Sequence, residues 1–148
     1  VMPTFECWVD APIERVWEFH SSVDALKALT PPGQHLELLS AGAPVEEGAL
    51  HRLRIRVLGI PVEWHARISN VRPPHRFVDT AERSPFAVWE HVHEFVELEG
   101  RTLIRDTITY RLPMGPLGSL VDALFVRGHV ARMFAFRHAA TKRALERP

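Results

Sequence analysis

The sequence predicts an α+β fold in which a curved antiparallel sheet wraps a long C-terminal helix. Three observations carry that prediction. A strand and two short helical stretches open the chain; alternating apolar and polar residues, broken by turns, then run from residue 35 to 113; and a helical pattern over roughly 117 to 146 closes it.

"TFECWVD" (4–10) alternates as a strand. Asp10 then offers an N-cap, and Pro12 fits the first helical turn, where its missing N–H costs nothing. The helix "APIERVWEFH" presents Ile13, Val16, Trp17 and His20 on one side. A second short helix near "VDALKAL" ends at "TPPG", a firm breaker.

The strands follow. "HLELLSA" comes first, then "ALHRLRIRVL" (49–58) and "PVEWHARISNV" (61–71), which flank Gly59-Ile60. With glycine first, that pair suits a type II′ hairpin. The implied register sets Val57 opposite Val62, Ile55 opposite Trp64, Leu53 opposite Ala66 and His51 opposite Ile68, all on one face. Arg52, Arg54, Arg56, Glu63, His65 and Arg67 then share the other, and a one-residue slip would scramble the division. "HRFVDTAE" (75–82) follows Pro73-Pro74 as a shorter strand.

"FAVWEHVHEFVELEGRTLIRDTITYRLP" (86–113) reads as the last hairpin, turning at Glu99-Gly100. Its inner face pairs Phe95 with Ile104, His93 with Asp106, His91 with Ile108 and Trp89 with Tyr110. Both histidines point inward because residues two apart on a strand share a face, and His93 meets a carboxylate. Gly128 in the closing helix costs about 1 kcal/mol against alanine and marks a bend or room beside the helix.

Bulk properties narrow the function classes. A chain of 148 residues is one domain, 1–148, able to bury about 70% of its unfolded surface. Hydrophobic content of 46% with 24% charged residues is that of a soluble globular protein. No apolar run reaches the roughly 20 residues of a membrane span, and "VMPTFECWVD" lacks the features of a signal peptide. A single cysteine, Cys7, excludes an internal disulfide, so a cytoplasmic location is expected. Eighteen basic residues balance eighteen acidic ones, which argues against nucleic acid as partner. The outer stripe of Arg52, Arg54, Arg56 and Arg67 reads first as a solvated face. Contact with an acidic partner, or with a second subunit in a homodimer, is the alternative.

The order of elements, together with "DAPIERVWEF", "LTPPG", "RFVDTAERSPFAVWEHVHEF", "RTLIRDTITYRLPMGPLG" and "MFAFR", resembles the START-like or SRPBCC superfamily, the helix-grip group of birch-pollen-allergen-fold proteins, lipid-transfer domains and polyketide cyclases. The resemblance covers nearly the whole chain and implies a ligand cavity between sheet and helix. It names no reaction, because a fold does not confer chemistry.

A strongly bent sheet cannot meet one helix along its whole width. Leu53, Ile55, Trp64, Phe77, Trp89, Phe95, Ile108 and Tyr110 are therefore expected to line one pocket, with His91, His93 and Asp106 as its polar groups. The helix from Leu124 to Phe136, Phe134 included, should close it. The expected partner is a small, mostly apolar molecule: a lipid, a polyketide or an isoprenoid.

Two sharper readings of the histidines stand beside the plain one. His-x-His with Asp106 could ligate zinc, but no third histidine or cysteine lies at a strand-compatible offset; no metal or cofactor is expected. As an enzyme, a cyclase, aromatase or dehydratase, the protein would use His93 and Asp106 as an acid–base pair, with His91 or Tyr110 assisting. In the plain reading the buried pair satisfies its own hydrogen bonds and stiffens the sheet. A third function class is a partner-binding module that works through an exposed apolar surface.

Overall fold

The computed structural model describes residues 2–32, 34–39, 44–57 and 59–146, with the side chains of Val23, Asp24 and Val57 left out. The chain runs β1 (Thr4–Val9), α1 (Ile13–His20), α2 (Val23–Ala28), β2 (Glu37–Leu38), β3 (Leu50–Val57), β4 (Ile60–Arg72), β5 (Arg76–Arg83), β6 (Val88–Leu98) and β7 (Arg101–Arg111). It closes with α3 (Gly115–Val121), a π-helical turn (Asp122–Val126) and α4 (Arg127–Leu145). The strands form one antiparallel sheet in the order β1-β7-β6-β5-β4-β3-β2. This is the expected α+β helix-grip architecture.

The last hairpin has the expected register: Leu98 pairs with Arg101 across the Glu99-Gly100 turn, His93 with Asp106 and Trp89 with Tyr110. The β3–β4 hairpin does not. Val57 pairs with Ile60, Ile55 with Val62, Leu53 with Trp64 and His51 with Ala66. The register is shifted by two residues, so the chain turns between Val57 and Ile60, with Gly59 directly before Ile60; Leu58 lies outside the described residues. Gly59 has φ +78°, a conformation costly for any residue with a Cβ. Because side chains alternate with period two, the shift keeps every residue on its expected face; patterning alone could not detect it.

Three other boundaries move. α1 begins at Ile13 with Pro12 as its N-cap, and Asp10 lies outside the helix, its backbone N–H bonded to Glu146. The free Ile13 N–H is met by the Glu97 carboxylate of β6 at 3.4 Å instead. The strand expected over "HLELLSA" is Glu37–Leu38, paired with Arg54 and Leu53; its Ser40-Ala41 end lies outside the described residues. The closing helix is widened at Asp122–Val126, ahead of Gly128.

Asp122 explains that widening, because its buried carboxylate accepts from the Tyr110 hydroxyl on β7 and from Arg127 at 3.0 Å. Gly118, one turn earlier, is packed so closely that a Cβ would stand 2.1 Å from the Pro113 carbonyl oxygen.

Two main apolar clusters lie between sheet and helices. The first joins Val9, Ile13, Val16, Phe77, Phe95 and Ile104 with Leu145 of α4. The second joins Trp89, Ile108 and Tyr110 with Val130 and Phe134 of α4, flanked by Phe5, Trp64, Phe86 and Met133. The histidine–aspartate group lies among them.

Candidate functional site: a histidine–aspartate network on the concave face

Three adjacent strands place the network. Asp79 of β5 is directly opposite His91 of β6, and His93 of β6 is directly opposite Asp106 of β7. The hydrogen bonds run diagonally. His91 Nε2 lies 2.7 Å from Asp106 Oδ1, and His93 Nε2 lies 2.6 Å from Asp79 Oδ2. The expected His93–Asp106 pair is thus a backbone pairing; their side chains stand 3.7 Å apart without a hydrogen bond. The diagonal arises because the imidazoles stack face to face, centroids 3.5 Å apart, between Phe77, stacked on His93, and Phe134, edge-on to His91.

The C-terminal helix completes it. His138 Nε2 donates to Asp106 Oδ2 at 2.7 Å, so Asp106 is held on both oxygens. Arg137 sits over the Phe134 ring, and burial pulls its pKa down against the opposing pull of the Asp106 and Asp79 charges. His20 of α1 packs against Phe95 and bonds through Nδ1 to the Val16 carbonyl at 2.8 Å.

Burial sets the electrostatics. For Asp106 burial pushes the pKa up, but the His138 and His91 hydrogen bonds win and hold the carboxyl well below its usual range. Asp79 is likewise lowered, its burial outweighed by His91 and His93. Burial, then charge on His91, lowers His93 to about 4 against the pull of Asp79, and burial lowers His20 to about 4. At neutral pH His93 is therefore an uncharged imidazole. Its Nε2–H is committed to Asp79, and its buried Nδ1 has no hydrogen-bond partner among the described residues. The carboxylate thus fixes its tautomer, and the free nitrogen is enclosed 3.7 Å from Asp106 Oδ1.

Asp79, His91 and His93 each bring a ligand atom within 4.8 Å of the others. A metal would bond two nitrogens at about 2 Å in the planes of their rings. Rings stacked only 23° from parallel cannot both aim at one ion. The arrangement suits hydrogen bonding better than ligation.

The concave face is sealed on one side and open on the other. On β6 and β7 the inward residues Trp89, His91, His93, Phe95, Ile104, Asp106, Ile108 and Tyr110 are all buried. On β4 the inward Ala66 and Ile68 are buried as well, while His51, Leu53, Ile55, Val62 and Trp64 are half-buried. Asp79 lies at the seam, its side chain 17% exposed.

A cleft of about 240 Å³ lies between Pro31, Pro32 and Gln34 and the α4 residues His129, Arg132, Met133 and Phe136. The residues expected to line one pocket are thereby divided. Phe77 and Phe95 belong to the first cluster; Trp64, Trp89, Ile108, Tyr110 and Phe134 belong to the second; Leu53 and Ile55 face the open side. Leu124 points to solvent, 63% exposed.

Sequence reasoning missed Asp79 as the partner of His93, and His138, His20 and Arg137 as neighbours. Asp79 was within reach, since it alternates with the inward Phe77 in "RFVDT". His138, four residues beyond Phe134 on one helix face, was also legible.

The family model for polyketide cyclase/dehydrase and lipid transport matches residues 9–137. The chain belongs to this family. No curated protein matches it in sequence. Among solved structures, a protein from Thermus thermophilus is similar at 21% identity and a TM-score of 0.72, over 97% of this chain and 99% of that one. A START superfamily protein from Mycobacterium smegmatis aligns at 17% identity and a TM-score of 0.73, over 98% and 97%. The nucleoside-diphosphate sugar epimerase of Corynebacterium glutamicum aligns at 26% identity and a TM-score of 0.72, over 95% of this chain but 28% of that one. The fold thus stands alone in some chains and occupies part of a longer one in another.

Proposed function

We propose that the protein binds a small, mostly apolar molecule on the β3–β4 half of its concave face, under α4. The observation that carries this reading is the burial asymmetry. Leu53, Ile55, Val62 and Trp64 face inward with apolar side chains and are only half-buried, whereas Ala66 and Ile68 farther along β4 and their counterparts on β6 and β7 are buried. Apolar surface left open on a concave face is what a small-molecule site offers. Asp79, at the seam, supplies a hydrogen-bond acceptor for the ligand's polar atom. The family, described by both cyclase/dehydrase chemistry and lipid transport, includes such ligands.

Titration with an environment-sensitive apolar dye, followed by competition with fatty acids, flavonoids and polyketides, tests this reading. Saturable binding that Ile55→Trp abolishes while the fold is retained is expected. Absence of any saturable binding would overturn it.

In a second reading, the neutral His93, its Nε2–H fixed by Asp79 as positioning residue, is the base of a cyclase- or dehydratase-type proton transfer once a ligand uncovers its enclosed Nδ1. His91 and Asp106 would then hold the stack in place. Turnover of a bound polyketide lost in His93→Gln, with dye affinity unchanged, would separate this reading from simple carriage.

A further inference from the structure

The first third of the closing helix is inside out. Met114, Leu117, Leu120, Val121, Leu124 and Phe125 are between 38% and 70% exposed, whereas the buried residues of the same stretch are Gly118 and Asp122. A helix packed only for stability does the reverse, burying its apolar stripe. Here the inward side is anchored by polar bonds, Asp122 to Tyr110 and Arg127, and by the close approach of Gly118 to Pro113. The apolar side is thereby presented outward. Leu117, Leu120, Val121 and Leu124 follow the i, i+3, i+4, i+7 spacing of one continuous stripe.

Charge around the stripe selects what covers it. From Arg111 to Arg132, the stretch that contains the stripe, the chain has three basic residues (Arg111, Arg127 and Arg132) and one acidic residue, the buried Asp122 that Arg127 meets. Arg111 and Arg132, on either side of the stripe in sequence, are exposed. This concentration occurs in a chain whose formal net charge is zero. A second copy docked symmetrically would set the same basic margin against itself, with no exposed carboxylate in this stretch to neutralise it. A surface that is apolar in depth and anionic at its boundary satisfies both features at once. No helix among the described residues is long and apolar enough to cross a membrane, so such a segment lies on the bilayer and does not span it.

We propose that the stripe from Met114 to Phe125, on α3 and the π-helical turn, is a docking surface for anionic lipid bilayers, inserting its leucines and Phe125 while Arg111 and Arg132 meet the headgroups. It is separate from the concave face and stands whether or not that face carries a ligand.

Co-flotation of the full chain with vesicles tests it, using phosphatidylcholine alone and phosphatidylcholine mixed with phosphatidylglycerol. The expected result is binding to the mixed vesicles, weakened by added salt and much weaker on phosphatidylcholine alone. Leu124→Ser with Phe125→Ser should cut it at least about tenfold. Both side chains are exposed, so the thermal melt should stay that of the wild type; if it does not, Arg111→Gln provides the second reading and should weaken binding to the mixed vesicles alone. No flotation with either vesicle overturns the proposal. So does equal binding to both vesicles, or a dimer in sedimentation that the double serine variant dissolves.

Discussion

His138 on α4 and Asp106 on β7 are joined by a 2.7 Å hydrogen bond that ties the C-terminal helix to the middle of the sheet. Asp106 is also the acceptor for His91, so one carboxylate links two strands and a helix. Its depressed pKa measures how strongly the folded state prefers it ionised.

Asp106→Asn should therefore lower stability, by about 1.5–3 kcal/mol for each charge-assisted bond weakened. Urea unfolding at neutral pH reads this as a lower midpoint with an unchanged slope. An unchanged midpoint would mean that the network is wet and contributes little.

Acidification should destabilise the protein in two successive windows. His93 and His20 resist protonation down to about 4 in the folded chain, against about 6.5 when unfolded. Between those values the unfolded state binds more protons, so stability falls as pH falls, by about 1.4 kcal/mol per pH unit for each histidine. Below about 4, the usual carboxylate range, protonation of the unfolded chain draws away the contribution of Asp106 and Asp79, whose folded pKa values are lowered. Urea midpoints from pH 7 to 4 should show the first decline, and His20→Phe should make it shallower. A flat profile would contradict the neutral state of both rings.

Tyr110→Phe removes the hydroxyl that donates to Asp122 and leaves a buried carboxylate with Arg127 alone. A loss of about 1–3 kcal/mol is expected. Hydrogen exchange should locate the weakening at the π-helical turn.

Gly118→Ala places a methyl 2.1 Å from the Pro113 carbonyl oxygen, a backbone atom that cannot swing aside. Overpacking of this kind costs about 1–3 kcal/mol. A thermal melt no lower than that of the wild type would show that the β7–α3 junction yields more freely than its packing implies.

The fold was legible because each element announced itself locally. Glu99-Gly100 between two strictly alternating runs set the last hairpin to the residue, and with it the inward placement of His91, His93 and Asp106. The turn at Gly59 was misread because glycine suits either central turn position, and a shift by two leaves the apolar face intact. The hydrogen bonds of the site were not legible. Cross-strand register names the residue opposite, and stacking between Phe77 and Phe134 turns each imidazole to the diagonal neighbour. His138 and Arg137 enter through helix placement, which strand alternation does not encode. Nor does periodicity tell an inward stripe from an outward one, which is why Leu124 was expected among the helix residues that close the pocket and is exposed instead.

The most direct test of ligand binding on the open half of the concave face is NMR chemical-shift mapping during titration with the strongest apolar competitor. Shifts are expected at Leu53, Ile55, Val62 and Trp64 and at Asp79, with Val9, Ile13 and Ile104 in the sealed cluster unmoved. Shifts confined to the outer stripe from Leu117 to Phe125, or no saturable shifts at all, would contradict it.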